Sequence, residues 1–297
     1  MSEPVWEPRK AVLLTGSEGA LGVHLGRHLR EHGYSVRGLD LRAGTVEGEH
    51  VVADLLDLDA VRTAMTGVDA VVHAGAIPWD REDSSRVMST NVVGTFNVLQ
   101  AAVEAGVERF VGLSSINAQG SSGGWRETAY LPIDDDYPHH PMTPYQLSKH
   151  LMEEVCRSFS ERHPLVTICL RPVFVLHPAT PHRETLGTAA FVDPWRDEYW
   201  AYVDVRDVAD AVVRALRVQD VQHERFLLAA RDTSVPEETR TLVTREFPEV
   251  PWPTVDPDRY FAGDPYRSLI DCSRAREVLG WQPRHSWRDA TPPDAGR

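Results

Sequence analysis

The chain of 297 residues carries 31 basic and 44 acidic side chains, a net charge of −13, with 42% apolar and 25% charged residues. That composition describes a globular chain of one or two domains, and its acidic balance argues against a nucleic-acid footprint, which needs a basic face. Cys156, Cys169 and Cys272 are scattered with no Cys-x-x-Cys pair, and no apolar run has bilayer length, so the expectation is a cytoplasmic protein with no membrane partner.

Residues 1–9 hold prolines and acids without an apolar core and read as a short lead-in, as does the tail 291–297. Residues 10–14 read as a buried strand that ends at Thr15 and runs straight into Gly16-Ser-Glu-Gly19-Ala-Leu-Gly22. Leu21, Leu25 and Leu29 then mark a helix. In such a strand, turn and helix, the glycines allow a tight turn, a close approach of backbone amides to a pyrophosphate, and close packing of helix on strand.

The next strand, 35–39, ends at Asp40, eighteen residues after Gly22. An acid there accepts hydrogen bonds from both hydroxyls of an adenosine ribose and repels a 2′-phosphate, so NAD is favoured over NADP. Arg42, two residues on, is the group that can still grip a phosphate. A third unit has a strand edge at 51–53, Asp54 placed to meet adenine, a helix through Val61 and Met65, and a strand at 68–73. The small residues Ala74-Gly75-Ala76 let a cofactor lie against the sheet, and His73 reads as a packed histidine rather than a catalyst. A helix over 91–105 and a strand over 109–113 continue the alternation. The expected fold is therefore α/β, a Rossmann-type doubly wound parallel sheet that binds ligands at its carboxyl edge.

Ser114, Ser115 and Asn117 fall at that edge, followed by a loop with Gly120, Gly123, Gly124 and Trp125 and a solvated acidic run at 134–136. Pro141 and Pro144 lead into a helix with an expected buried stripe of Leu147, Leu151, Val155 and Phe159. Tyr145 and Lys149, four apart, share one face of it. A phenol works as a base near neutral pH only if its pKa of about 10 falls by roughly three units, about 4 kcal/mol, and a neighbouring ammonium supplies part of that.

Beyond Arg171-Pro172 little chain remains before a strand at 200–203, and it is rich in proline and histidine (His177, Pro178, Pro181, His182). The histidines lack a compact metal-ligand spacing, so no metal is expected; they stand as substrate contacts beside Trp79, Trp125 and Arg126. A helix to Leu216, a strand over 226–229, a helix over 239–247 and a last helix with Ser273 as N-cap and Gly280 at its end complete the reading. Residues 1–170, rejoined by 200–224, form the expected cofactor domain, and 171–199 with 225–297 a small substrate domain.

GSEGALG, Asp40, Asp54-Leu55, HAGA, Asn91 in NVVGT, SSINAQG, YQLSK, Arg171-Pro172, YVDVRDVADA and the closing RAREVLGWQPR together resemble the extended short-chain dehydrogenase/reductase family, and among its members the NAD-dependent epimerase/dehydratase-like oxidoreductases. The resemblance implies Tyr145 as acid/base, Lys149 on the nicotinamide ribose and lowering the phenol pKa, and Ser115 on the substrate oxygen. Ser115 is preferred to Ser114 because it stands five residues before Gly120. Gly16, Gly19, Gly22, Asp40, Asp54, Leu55, Ala74, Gly75, Asn91 and Pro172 are the further cofactor-binding positions it implies, together with a homodimer through the Tyr145 helix and the one before it. Ile116 and Asn117 stand where the family's nucleotide-sugar dehydratases carry an Asp-Glu pair, which argues against elimination. The expectation is an NAD-dependent oxidoreductase acting on a secondary alcohol or ketone of a small, sugar-like substrate. A sugar or nucleotide-sugar epimerase is the alternative. A non-catalytic NAD-binding regulatory protein is disfavoured by the presence of both Tyr145 and Lys149.

Overall fold

The computed structural model describes residues 11–44, 48–80, 83–178, 186 and 195–289. The strands are β1 (Ala11–Thr15), β2 (Ser35–Asp40), β3 (His50–Val52), β4 (Ala70–His73), β5 (Arg109–Leu113), β6 (Val166–Pro172), β7 (Phe174–Leu176), β8 (Tyr202–Asp204) and β9 (His223–Leu228). The helices are α1 (Ala20–Glu31), α2 (Leu58–Ala64), α3 (Ser84–Met88), α4 (Gly94–Glu104), α5 (Pro144–Arg162), α6 (Val205–Ala215), α7 (Thr239–Glu246), α8 (Pro257–Tyr260) and α9 (Ser273–Leu279). Seven strands pair in parallel in the order β3-β2-β1-β4-β5-β6-β9, and β7 pairs with β8 in a separate two-stranded sheet.

Helices on both faces explain why these strands are continuous apolar runs rather than alternating ones. The pleat sends Val12 and Leu14 of β1 to one core with Leu25 and Leu29 of α1 and Val208 and Val212 of α6. Leu13, between them, joins the other core with Val61 of α2, Leu99 of α4 and Phe159 of α5. The strand order reverses between β1 and β4, the switch point at which open sheets of this kind bind ligands.

Five expectations need correcting. The acidic run at 134–136 is not solvated throughout: Asp135 is 6% exposed, and its carboxylate accepts from the Leu227 amide at 2.7 Å. The strand expected at 226–229 and assigned above to the small substrate domain is β9, which spans His223–Leu228 and pairs with β6 in the main sheet, Phe226 opposite Leu170 and Leu228 opposite Pro172. The expected strand at 200–203 starts two residues later, because Trp200 takes a left-handed conformation, φ 51°. The last helix is capped by Cys272 rather than Ser273, and the Asp271 carboxylate accepts from the Ser273 amide at 2.9 Å. The inward face of α5 matches the expected stripe only in part: Phe159 is buried as expected and Leu151 and Val155 are half-buried, but Leu147 is 38% exposed, and Lys149, Met152, Glu153 and Cys156 fill the rest of the buried face. The buried stripe has to carry Lys149 toward the cleft, so polar partners meet Lys149 and Glu153 while Cys156 and Phe159 pack into the apolar core.

The sequence also holds a cap not read there. Thr143 accepts from the Gln146 amide at 3.2 Å, and the Gln146 side chain accepts from the Thr143 amide at 3.3 Å, a capping box with Pro144 in the first turn. It fixes where α5 begins, and so where Tyr145 stands.

Candidate active site

The β1–α1 turn is built by excluded volume. Gly16 has φ +67°, and a Cβ added to it would lie 2.7 Å from the Gly75 backbone; one added to Gly22 would collide with the Gly16 carbonyl. Leaving those side chains out keeps backbone amides within reach of a ligand at the start of α1. A cleft of about 750 Å³ opens there, lined by Gly16, Gly19, Gly22, Ala74, Ser115 and Pro172 among others, and Tyr145 and Lys149 face the same space.

Tyr145 sits in the first turn of α5, its amide donating to the Asp80 carboxylate at 2.7 Å. Burial pushes the phenol up to about 12 against a hydrogen bond with Ser115, and the Asp80 charge adds to the rise. Lys149 is 4% exposed; its Nζ donates to the Leu113 carbonyl at 2.7 Å and lies 5.9 Å from the Tyr145 ring centre. Burial lowers its pKa to about 8, and Glu153, one turn on, opposes that fall. The Ser115 Oγ accepts from the Asn117 amide at 3.2 Å and from Asn117 Nδ2 at 3.3 Å. Ser114 turns the other way and donates to the Glu153 carboxylate at 2.6 Å. Of the two serines, Ser115 is the one joined to the phenol.

The other predicted positions lie around this cleft. Asn91 lies in a π-helical turn, Ser89–Val93, between α3 and α4. Its amide accepts from Ile77 N (2.7 Å) and donates to Ile77 O (3.0 Å) and Ser148 Oγ (2.9 Å). The expected cofactor contact is thereby a brace between the strap after β4 and the Tyr145 helix; its polar atoms are spent on protein. Leu55 is 7% exposed and packs under Gly75 and Gly94. Asp54 is exposed and accepts from the Leu56 amide at 3.0 Å. Asp40 ends β2, accepting from Glu18 N at 3.0 Å and Arg42 N at 3.1 Å, while the Arg42 guanidinium donates to the Glu18 carbonyl.

His73 is 2% exposed and lies between Thr15 Oγ1 (2.7 Å) and Thr95 Oγ1 (3.0 Å). Thr95 spends its proton on the Asn91 carbonyl, so His73 carries its proton on Nε2 and accepts from Thr15 on Nδ1. Burial, then the Lys149 charge, lowers its pKa to about 3, which keeps it neutral. Trp79 and His177 line the cleft, whereas Arg126 borders a separate groove and Trp125 is exposed. His182 and Pro181 lie outside the described residues. Sequence reasoning missed two groups: Asp80, which nothing in its local pattern marks, and Glu198, which lines the cleft. It also named Arg171 without its partner Glu153, detectable as the third polar residue in register after Tyr145 and Lys149.

A parallel sheet reversing at β1/β4, a glycine cradle with no room for side chains and a Tyr–Lys pair at its edge define an enzyme of the extended short-chain dehydrogenase/reductase class. The chain belongs to the NAD dependent epimerase/dehydratase family, whose sequence profile matches residues 12–229. It is 30% identical to a uronate dehydrogenase of Pseudomonas syringae pv. tomato, over 73% of either chain. It is also 30% identical to a UDP-glucose 4-epimerase of Mycolicibacterium smegmatis, over 92% of this chain and 93% of the other. A crystal structure of a short-chain dehydrogenase/reductase superfamily protein from Agrobacterium tumefaciens with bound NAD superposes with a TM-score of 0.71 at 26% identity, covering 93% of each chain. The residues of the cleft fit a nicotinamide dinucleotide: the glycine cradle suits its pyrophosphate, and Tyr145 and Lys149 stand in the same opening. No helix among the described residues is long and apolar enough to cross a membrane.

Proposed function

We propose that the protein is an NAD-dependent oxidoreductase interconverting a secondary alcohol and a ketone of a small, sugar-like substrate. The observation that carries this reading is the convergence of Ser115, Tyr145 and Lys149 on the cleft of the glycine loop. Ser115 holds the substrate oxygen; Tyr145 takes its proton as phenolate, or returns it as phenol in the reverse direction. The Lys149 ammonium, with Leu113 fixing its position, stabilises the phenolate and grips the cofactor ribose. When bound, the dinucleotide supplies the hydride acceptor or donor. Gly16, Gly19 and Gly22 hold its pyrophosphate, and Ala74, Gly75 and Pro172 flank it. Asp40 and Asp54 meet its adenosine end.

NAD rather than NADP follows from the Asp40 carboxylate, which sits within hydrogen-bonding distance of the glycine-loop amide of Glu18 and would face a 2′-phosphate with like charge. The Arg42 guanidinium is already engaged by the Glu18 carbonyl. The test is a panel of free aldoses, uronates and small hydroxy-ketones, assayed for reduced cofactor with NAD and with NADP. Net NADH formation with at least one sugar, and tighter binding of NAD, is expected; tighter binding of NADP contradicts the Asp40 assignment. The epimerase reading keeps the same residues but turns the keto intermediate over before reducing it, and it consumes no net NAD. Ile116 and Asn117, without a carboxylate, support neither reading over the other and speak against dehydration.

A homodimer through α4 and α5 is part of this proposal. Val93 in the turn before α4, Phe96 on α4 and Leu147 on α5 expose 49%, 43% and 38% of their surface, apolar area that a second copy would bury. Light scattering is expected to give twice the 33.3 kDa chain mass, with Leu147→Glu shifting the protein toward monomer. A monomeric wild type contradicts it. Three free cysteines are compatible with the reducing cytoplasm assigned to it.

A further inference from the structure

Among the described residues lining the Tyr145 cleft, two side chains carry formal charge, Lys149 and Glu198. Lys149 is committed to the Leu113 carbonyl and the phenol. Glu198 has no part in the proton chemistry, yet its position is built. It closes the short 3₁₀ turn Arg196–Glu198 and is followed by two left-handed residues that are not glycine, Tyr199 (φ 56°) and Trp200 (φ 51°). Side-chain-bearing residues keep such backbone only where packing over-determines it, and this happens most often at functional sites. Both are held: Tyr199 and Trp200 are 2% and 0% exposed, the Tyr199 hydroxyl donates to Ser121 O at 2.6 Å, and Trp200 O accepts from Ser234 N at 2.8 Å.

A second anchor comes from the catalytic side. The Ser122 hydroxyl donates to Asn117 Oδ1 at 3.2 Å and lies within hydrogen-bonding reach of the Glu198 carboxyl group. Asn117 Nδ2 in turn donates to Ser115 Oγ at 3.3 Å. Glu198 is thus tied through two side chains to the serine assigned to the reacting oxygen. Burial pushes its pKa up to about 7 against the Ser122 hydrogen bond, with Asp197 adding to the rise, so at alkaline pH it is a carboxylate.

We propose that Glu198 selects the substrate: its carboxylate accepts hydrogen bonds from hydroxyls flanking the reacting carbon of a neutral polyhydroxyl compound and repels substrates bearing a carboxylate. The inference rests on the hydride-transfer reading above and narrows it to neutral sugars over sugar acids. An ionised carboxylate is an acceptor only, well matched to hydroxyl donors and unable to pair with a second anion.

Glucose and galactose are compared with glucuronate and galacturonate as substrates for NADH formation at alkaline pH, in wild type, Glu198→Gln and Glu198→Asp. Wild type is expected to favour the neutral sugars by about tenfold or more in kcat/KM. Glu198→Gln, of the same shape without the charge, is expected to shrink that ratio about tenfold through faster uronate turnover. Glu198→Asp keeps the ratio, and NAD affinity stays unchanged in both, which separates selection from misfolding. Calorimetric binding of the same sugars to Tyr145→Phe with NAD reads the preference without turnover, so a failure of the hydride-transfer reading alone leaves this measurement standing. Uronates preferred by wild type, a ratio that Glu198→Gln does not move, or binding of no sugar overturns the proposal.

Discussion

Tyr145→Phe is expected to lose about 10²–10⁴-fold in kcat, the usual contribution of one positioned acid/base, while NAD affinity stays at the wild-type value. At about 1.36 kcal/mol per tenfold, this raises the barrier by about 3–5 kcal/mol. The substitution removes one oxygen and leaves the ring. The helix start is unaffected because it depends on Thr143, Gln146 and the Asp80 bond to the backbone amide of residue 145. Loss of cofactor affinity together with turnover would mean that the phenol is structural, and full activity would remove Tyr145 from the mechanism. The phenol rests near 12 in the protein, so a proton donor is its resting state; abstracting a proton requires the Lys149 charge close by.

Glu153→Ala is expected to destabilise the fold by about 3–5 kcal/mol, read from urea or thermal unfolding. Glu153 is 0% exposed and accepts from Arg171 Nε at 2.9 Å, Arg171 Nη2 at 2.7 Å and Ser114 Oγ at 2.6 Å. Truncating it leaves a guanidinium whose side chain is 0% exposed with the Asp135 carbonyl, His139 and, at 3.9 Å, the Asp135 carboxylate as its remaining partners. Removing both charges, as in Glu153→Met with Arg171→Met, is expected to cost less, because the guanidinium leaves together with its main carboxylate partner and only the longer 3.9 Å pairings of Asp135 and Arg225 are lost. Burial opposes ionisation of Glu153, but Arg171 and Ser114 hold its pKa below the ordinary 4.5. A depressed carboxylate stabilises above its unfolded pKa and loses that contribution as pH falls through the folded one. The gap between wild type and Glu153→Ala therefore persists at neutral pH and narrows below 4.5. A variant as stable as wild type at neutral pH would show that the pair contributes nothing net.

The parts of the site legible in the sequence are those whose chemistry forces a local pattern. Gly16 and Gly22 are readable because no other residue fits against Gly75 and the Gly16 carbonyl. Tyr145 and Lys149 are readable because a shared helix face requires their spacing. The apolar stripe of α5 misled in part, since hydrophobicity marks surfaces that any partner buries, and Leu147 faces away from this chain's own core. Glu198 left no trace because it is placed by a left-handed turn at Tyr199 and Trp200, which sequence patterns reserve for glycine or asparagine. The strand at 226–229 was misassigned because a parallel edge strand is recruited by long-range pairing with β6, on which neighbouring residues carry no information.

The most direct test of hydride transfer uses an aldose deuterated at the oxidised carbon, taken from whichever panel sugar reduces NAD, with the recovered cofactor weighed by mass spectrometry. One deuterium per NADH, and one NADH per molecule of sugar oxidised, is the predicted result. Cofactor recovered unreduced and unlabelled, while the sugar is converted to its epimer, would contradict the oxidoreductase assignment and place the same Tyr145 and Lys149 in an epimerase.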